Sequence, residues 1–303
     1  MATLAKCPTG IAGFDEISDG GLPRGRPTLI AGHAGAGKTL FALECVLHGI
    51  EKYQEPGVFV SFEETPEELA VNVASLGYDL ARHQEANQLR ILHIDLDPAE
   101  LIETGEYDLD GVFLRLGMAI DAVGARRIAL DAMGNLFSAF TDLRILRAEF
   151  RRLMSWLKDR GVTAVVTTER GIDSITRHGL EEYIADCVVT LDNRVEDQVA
   201  TRRLRIVKFR GSAHGGDECP FVLDRNGVSV IPVASAGLAY PASSERVSSG
   251  IESLDAMLSG GIFRGSSMLV SGTSGTGKSS IAAQMVDAAC RRGERCLYVA
   301  LEE

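Results

Sequence analysis

The sequence predicts an α/β fold with a mostly parallel sheet and helices on both faces. Three observations carry that expectation: short β-branched runs alternate with amphipathic helical stretches, a glycine-lysine loop joins one such run to a helix, and the arrangement begins again 240 residues later. In order, PTLIAG (27–32), VFVSF (58–62), LRILHI (89–94), RRIALD (126–131) and TAVVTT (163–168) read as strands. Helices fill the intervals, notably PEELAVNVASLG (66–77) and LRAEFRRLMSWLKDRG (146–161), where apolar residues recur three and four apart.

The repeat sets the domain organisation. The stretch from Gly10, GIAGFDEISDGGLPRGRPTLIAGHAGAGKT, aligns without a gap to that from Gly250, GIESLDAMLSGGIFRGSSMLVSGTSGTGKS, and twelve of thirty positions match. The matches are grouped: Asp15 with Asp255, Gly20-Gly21 with Gly260-Gly261, Arg24-Gly25 with Arg264-Gly265, and the whole glycine-lysine loop. Both copies then run through a helix to a strand ending in two glutamates, VFVSFEE and CLYVALEE. Residues 1–242 are expected to form a complete unit. Residues 243–303 are expected to hold a linker, entered through the Ala-, Ser- and Pro-rich ASAGLAYPASSERVSSG, and the opening of a second unit. A second copy reaching only its second strand reads as part of a longer protein.

Composition sets bounds on function. The 303 residues are 45% apolar and 24% charged, enough for a large core. No stretch approaches the roughly 18 uninterrupted apolar residues of a membrane span, and MATLAKCPTG lacks the regions of a signal peptide, so a cytoplasmic location is expected. The six cysteines form no CxxC pair and have no histidine at metal-ligand spacing. A net charge of -11 opposes the counterion-release attraction that drives non-specific nucleic-acid binding.

The chemistry begins at GHAGAGKT. It follows the strand PTLIA and opens a helical run, the context that makes GxxxxGK[ST] a phosphate-binding P-loop. Gly35, Ala36, Gly37, Lys38, Thr39 and Leu40 would cradle a nucleotide: the glycines turn backbone N–H groups inward, and Lys38 reaches the β- and γ-phosphates. Thr39 places its hydroxyl on Mg²⁺. The second copy carries GTSGTGKSS, with Gly275, Thr276, Gly277, Lys278, Ser279 and Ser280 in the same places. Hydrolysis also needs a carboxylate to orient water and one to hold the metal shell. Glu63 and Glu64 end the strand GVFVSF at the carboxyl edge of a parallel sheet, and strand alternation favours Glu63 as the base. Helix capping by EETPEEL is the other reading of that pair. Asp131 ends the apolar strand IAL and fits a magnesium-supporting aspartate. In the second copy Glu302 stands at the base position, and Ser279 and Glu302 at the metal positions.

Beyond the loops, AKCPTGIAGFDEISDGGLPRG, SFEETPEE, VTTERG, RHGLEEYIADCVV, LRIVKFRGSAHGG and SSERVSSGIESLD together resemble the KaiC family, circadian-clock ATPases and autokinases of the RecA-like P-loop class. The likeness runs over nearly the whole chain. It implies a hexameric ring with ATP and Mg²⁺ held between subunits, Glu63 as catalytic base and Ser75 as a nucleotide contact. Lys208, Phe209, Arg210, Ser212 and His214 of KFRGSAH would contact the adjacent subunit's ATP, with Lys208, Arg210 and His214 reaching its phosphates. It also implies partners resembling KaiA or KaiB, and autokinase activity only in a longer parent. His33-Ala34 and Ser212 depart from the family's usual hydroxyl-rich loop and threonine. Two other readings stand beside this one: a RecA-like DNA repair or recombination motor, which the acidic charge disfavours, and an assembly module glued by ATP with incidental hydrolysis.

Overall fold

The computed structural model describes residues 4–95, 109–134, 142–171, 175–176, 179, 181–196, 198–233 and 243–301. The chain divides into two units, Met1–Val233 and Ala234–Glu303. The linker stretch 234–242 and Glu302-Glu303 lie outside the described residues.

The first unit opens on a small antiparallel pair, β1 (Lys6–Cys7) with β2 (Leu22–Pro23), closed by the short helix Phe14–Ile17. Asp15 ties it together: its carboxylate accepts from the Thr9 N–H (2.8 Å), the Thr9 hydroxyl (2.7 Å) and the Gly10 N–H (2.9 Å). Gly21 sits at φ 111°, and a Cβ there would lie 2.2 Å from the Cys7 carbonyl oxygen, so only glycine fits.

Nine strands make the main sheet: β3 (Pro27–Gly32), β4 (Gly57–Ser61), β5 (Leu89–His93), β6 (Arg127–Asp131), β7 (Thr163–Glu169), β8 (Cys187–Glu196), β9 (Val199–Phe209), β10 (Cys219–Asp224) and β11 (Gly227–Val230). Their order is β11-β10-β9-β8-β3-β7-β6-β4-β5. The six from β8 to β5 are parallel, and β9, β10 and β11 extend the sheet antiparallel. The five runs read as strands from sequence are β3 to β7, each within a residue of the expected ends.

Neighbouring residues of the central strands feed opposite cores, as the two-residue strand period requires. Ile30, Phe59, Ala129, Val165 and Val189 pack against the helices Lys38–Tyr53, Pro66–Ala74 and Leu80–Glu85 through Phe41, Leu47, Leu69, Val73 and Leu80. Leu29, Val58, Ile128, Val166 and Val188 pack against Asp110–Val123 and Leu143–Asp159 through Leu116, Ile120, Phe150, Leu153 and Leu157. Each such fully buried side chain contributes about 1.5–3 kcal/mol by leaving water. Because both faces are covered, the central strands read as near-continuous apolar runs.

The second unit repeats the opening. β12 (Arg246–Val247) pairs with β13 (Ile262–Phe263) around the helix Glu252–Met257, and Asp255 accepts from the Ser249 N–H (2.9 Å), the Ser249 hydroxyl (2.6 Å) and the Ser248 hydroxyl (2.5 Å). A glycine-lysine loop then leads into the helix Lys278–Arg291. Of the strand expected over CLYVALEE, the described residues 296–301 are not in a strand, and neither are 266–272, the counterpart of β3. A strand takes its hydrogen bonds from neighbours, and among the described residues of this unit neither segment has one.

Candidate functional site

The site forms where β3, β4, β6 and β7 end. β3 is buried along its whole length and delivers the loop 33–37 to the carboxyl edge of the sheet. Gly32 has no room for a side chain, since a Cβ would meet the Leu191 carbonyl at 2.7 Å and Ala36 at 3.2 Å. Gly35 (φ 71°) and Gly37 (φ 97°) take the left-handed conformation that curls the loop, and Gly37 is the N-cap of the helix Lys38–Tyr53. No side chain caps that helix end, so its N–H groups and positive dipole end face the loop's concavity. The Lys38 ammonium folds back onto the loop, donating to the carbonyls of Gly32 (2.9 Å) and His33 (3.0 Å). Burial lowers its pKa, while the charges of Asp131, Glu169 and Glu63 oppose that shift.

Ala34, Gly35, Lys38, Thr39, Glu63, Asp131, Ala132, Gly134, Thr168 and Glu169 line a cavity of about 190 Å³. Asp131 is buried at the end of β6, and its carboxylate accepts from the Thr167 hydroxyl at 2.6 Å. Burial raises its pKa against hydrogen bonds from Thr167 and Thr39 and the charge of Lys38. Ala132, directly after it, turns the chain left-handed at φ 65°.

The two glutamates after β4 separate. The Ser61 hydroxyl accepts from the N–H groups of Glu63 (3.3 Å) and Glu64 (2.8 Å), fixing the turn. Glu63 lines the loop cavity; Glu64 does not, and is held instead by Asn72, whose amide donates to it at 3.2 Å. Burial and then the charge of Asp131 raise the Glu64 pKa. Within EETPEEL the side-chain capping is done by Thr65 and Glu68, which form a reciprocal capping box at the helix Pro66–Ala74, and not by Glu63 or Glu64.

Other sequence candidates lie elsewhere. Leu40 packs against the core from the first turn of the loop helix, and Ser75 ends the helix Pro66–Ala74, outside the cavity lining. Lys208, Phe209, Arg210, Ser212 and His214 gather at the far end of β9. Cys187 pairs with both Thr28 and Phe209, so this cluster is level with the start of β3, on the edge of the sheet opposite the loop. There Lys208 donates to the carbonyls of Glu182 (2.8 Å) and Tyr183 (3.2 Å), and Arg210 to that of Tyr183 (3.1 Å). Phe209 is buried under the Lys6 ammonium, which also donates to the Ser212 hydroxyl at 2.7 Å, and His214 stacks on its ring. In the second unit Lys278 folds onto Gly272 and Thr273 (both 2.9 Å) as Lys38 does, within the loop that holds Gly275, Thr276, Gly277, Ser279 and Ser280. Glu302 lies outside the described residues.

Sequence reasoning missed Glu169 and Thr167. Glu169 faces the cavity because β7 neighbours β3 and pairs it with Gly32. That adjacency belongs to topology; the only local sign was a glutamate closing the run TAVVTT.

A strand-loop-helix phosphate cradle facing two strand-end carboxylates is the architecture of a P-loop ATPase, and the family model "ATPase: KaiC" matches residues 7–235 and 247–303. The chain belongs to the KaiC family. It is 54% identical over 302 residues to the circadian clock protein KaiC2 of Synechocystis sp., an alignment covering 99% of this chain and 53% of that protein. It is 42% identical to the circadian clock oscillator proteins KaiC of Parathermosynechococcus lividus and Prochlorococcus marinus, over 99% of this chain and 56% and 60% of theirs. The chain therefore spans little more than half the length of these relatives. As in the KaiC ATPase family, its first unit is a RecA-like P-loop domain.

The site's chemistry suits a hard divalent cation held jointly with phosphates. A buried carboxylate (Asp131) and a hydroxyl (Thr39) lining the same cavity supply oxygen ligands only. Among the described residues no three His, Cys, Asp or Glu converge as a cage of their own. That fits Mg²⁺, which keeps its waters and is bound through one or two protein oxygens plus substrate phosphate. Among the described residues no helix is long and apolar enough to cross a membrane.

Proposed function

We propose that the first unit binds ATP with Mg²⁺ and hydrolyses it to ADP and phosphate. The observation that carries this is the convergence of Lys38, Thr39, Glu63 and Asp131 on one cavity from three separate strand ends, those of β3, β4 and β6. Loop N–H groups and Lys38, released from its loop carbonyls, bind the β- and γ-phosphates. Thr39 and Asp131 hold Mg²⁺, which would neutralise charge on the transferred phosphoryl group. Glu63 orients the attacking water and accepts its proton. Glu63→Gln should lower Mg²⁺-dependent phosphate release about a hundredfold with ATP binding intact; unchanged turnover removes Glu63 from this role.

The placement of Lys208, Arg210 and His214 supports action on a neighbour's nucleotide. They stand at the sheet edge opposite the loop of their own unit, which favours a phosphate held on another copy of the chain. Cations delivered across an interface tie hydrolysis to assembly. The reading is a nucleotide-dependent ring, a hexamer by analogy with the family, with Ser75 and the KFRGSAH segment completing each interface. Light scattering with and without ATP tests it, and a hexamer unchanged on nucleotide removal counts against ATP as the glue. Clock-type partners and autokinase activity are proposals for the longer protein that the relatives' length implies. The DNA-motor alternative gains nothing from the geometry.

A further inference from the structure

The end of β6 depends on one hydroxyl from the neighbouring strand. β6 and β7 pair in register as far as Leu130 with Val166, and the next rung would set Asp131 against Thr167. That rung is made by a side chain. The Ala132 N–H donates to Thr167 Oγ1 at 2.8 Å, and Thr167 Oγ1 donates its own proton to Asp131 Oδ1 at 2.6 Å. Thr167 is fully buried in a strand whose neighbours Val165 and Val166 serve apolar cores. A lone hydroxyl there would cost about 1–3 kcal/mol, so its two bonds are what make it tolerable.

Those bonds have a definite sense. A hydroxyl has one proton, so accepting from Ala132 and donating to Asp131 uses it in a single orientation. The first bond fixes the left-handed residue that ends the strand, at φ 65° without a glycine. The second fixes which way the adjacent carboxylate faces. Asp131 is held from the other side too, by the Phe62 N–H on its backbone carbonyl (3.3 Å).

From this we infer that Thr167 is a positioning residue: it locks the Asp131 carboxylate and the Ala132 turn in the geometry that receives the magnesium-nucleotide, without touching the nucleotide itself. The inference rests on the ATP-site reading above. It also explains a fully buried hydroxyl next to the apolar Val165 and Val166, where valine would have the same shape and better burial.

The test uses the full chain and a fluorescent ATP analogue, titrated with Mg²⁺. Thr167→Val keeps the shape and removes the hydroxyl; it should need about tenfold more Mg²⁺ for half-maximal binding, with binding in the absence of Mg²⁺ unchanged. Thr167→Ser keeps the hydroxyl and should stay within about twofold of wild type, a rescue that a packing role would not give. Thr167→Ala removes the hydroxyl without a second methyl and replaces the valine variant should that fail to fold. A wild-type Mg²⁺ dependence in the valine or alanine variant overturns the inference, as does a serine variant as impaired as valine. Wild-type protein that binds no analogue strikes the ATP-site reading instead. Hydrogen exchange at the Ala132 amide then decides the positioning role: slow in wild type and Thr167→Ser and fast without the hydroxyl supports it, and equal rates overturn it.

Discussion

The two copies of the repeat agree in their first twenty residues and part company at the first strand of the sheet. Asp15 and Asp255 both gather the N–H and hydroxyl of the residue six positions before them, adding the Gly10 N–H in the first copy and the Ser248 hydroxyl in the second, and Gly21 and Gly261 press almost equally close to the carbonyls of Cys7 and Val247. Leu29, in β3, is 0% exposed; Leu269, its counterpart, is 92% exposed. The opening is closed mainly by hydrogen bonds between residues five to nineteen apart, so the local sequence is enough to make it. β3 is closed by β7 and β8, whose residues lie about 130 to 160 positions further on, and the segment 266–272 has no such partners among the described residues. The same contrast governs chemistry. Both lysines fold onto their loops alike, and the first loop faces carboxylates carried by β4, β6 and β7; the second copy's Glu302 lies outside the described residues.

The largest expected effect that would break this contrast is at the lysines. Lys38→Ala should reduce Mg²⁺-dependent phosphate release about a thousandfold, whereas Lys278→Ala should leave it within about twofold; similar losses would show two equivalent sites. Next comes packing: Leu29→Ala should cost about 3 kcal/mol in urea unfolding and Leu269→Ala less than about 0.5 kcal/mol. A comparable loss at Leu269 would mean that its segment is packed in solution.

The smallest effect concerns pH. Glu44, fully buried on the loop helix, accepts from the Tyr78 hydroxyl (2.9 Å) and the Val228 N–H (3.0 Å), and burial raises its pKa to about 7. The second copy has Gln284 at this position. The folded state thus holds a proton that the unfolded chain releases near its ordinary value of 4.5. Stability from this group is full below that value and is lost as pH rises through about 7, a fall of about 1 kcal/mol between pH 6 and 8. Glu44→Gln should abolish that slope in unfolding experiments run across the range, and an unchanged slope would place its origin elsewhere.

What could be read from sequence follows the same division. The phosphate loop, the strands β3 to β7 and the carboxylates Glu63 and Asp131 were legible because each is signalled by adjacent residues: an apolar run, its ending, the glycine spacing. The antiparallel extension was not. In TRRLRIVKF basic and apolar residues interleave, and what decides its burial is β8 on one side and β10 on the other. Glu169 and Thr167 escaped for a related reason, since both matter only because β7 lies between β3 and β6. Lys208 and Arg210 carried no local sign of the role proposed for them; the family resemblance suggested it, and the register of β9 places them at the sheet edge opposite the first unit's loop.

The close approach at Gly21 bears on how this family can vary. Its obstacle is the Cys7 backbone carbonyl, an atom that no codon can shorten. A side chain introduced at Gly37 would meet Leu223, a contact that a smaller residue there removes, leaving only the strain of the left-handed backbone at φ 97°. At Gly21 no second-site change of side chain offers such relief, so a lesion there has no intragenic suppressor short of remodelling the β1–β2 pair. Both copies of the repeat carry that dead end, at Gly21 and Gly261, and drift in either can proceed only around it.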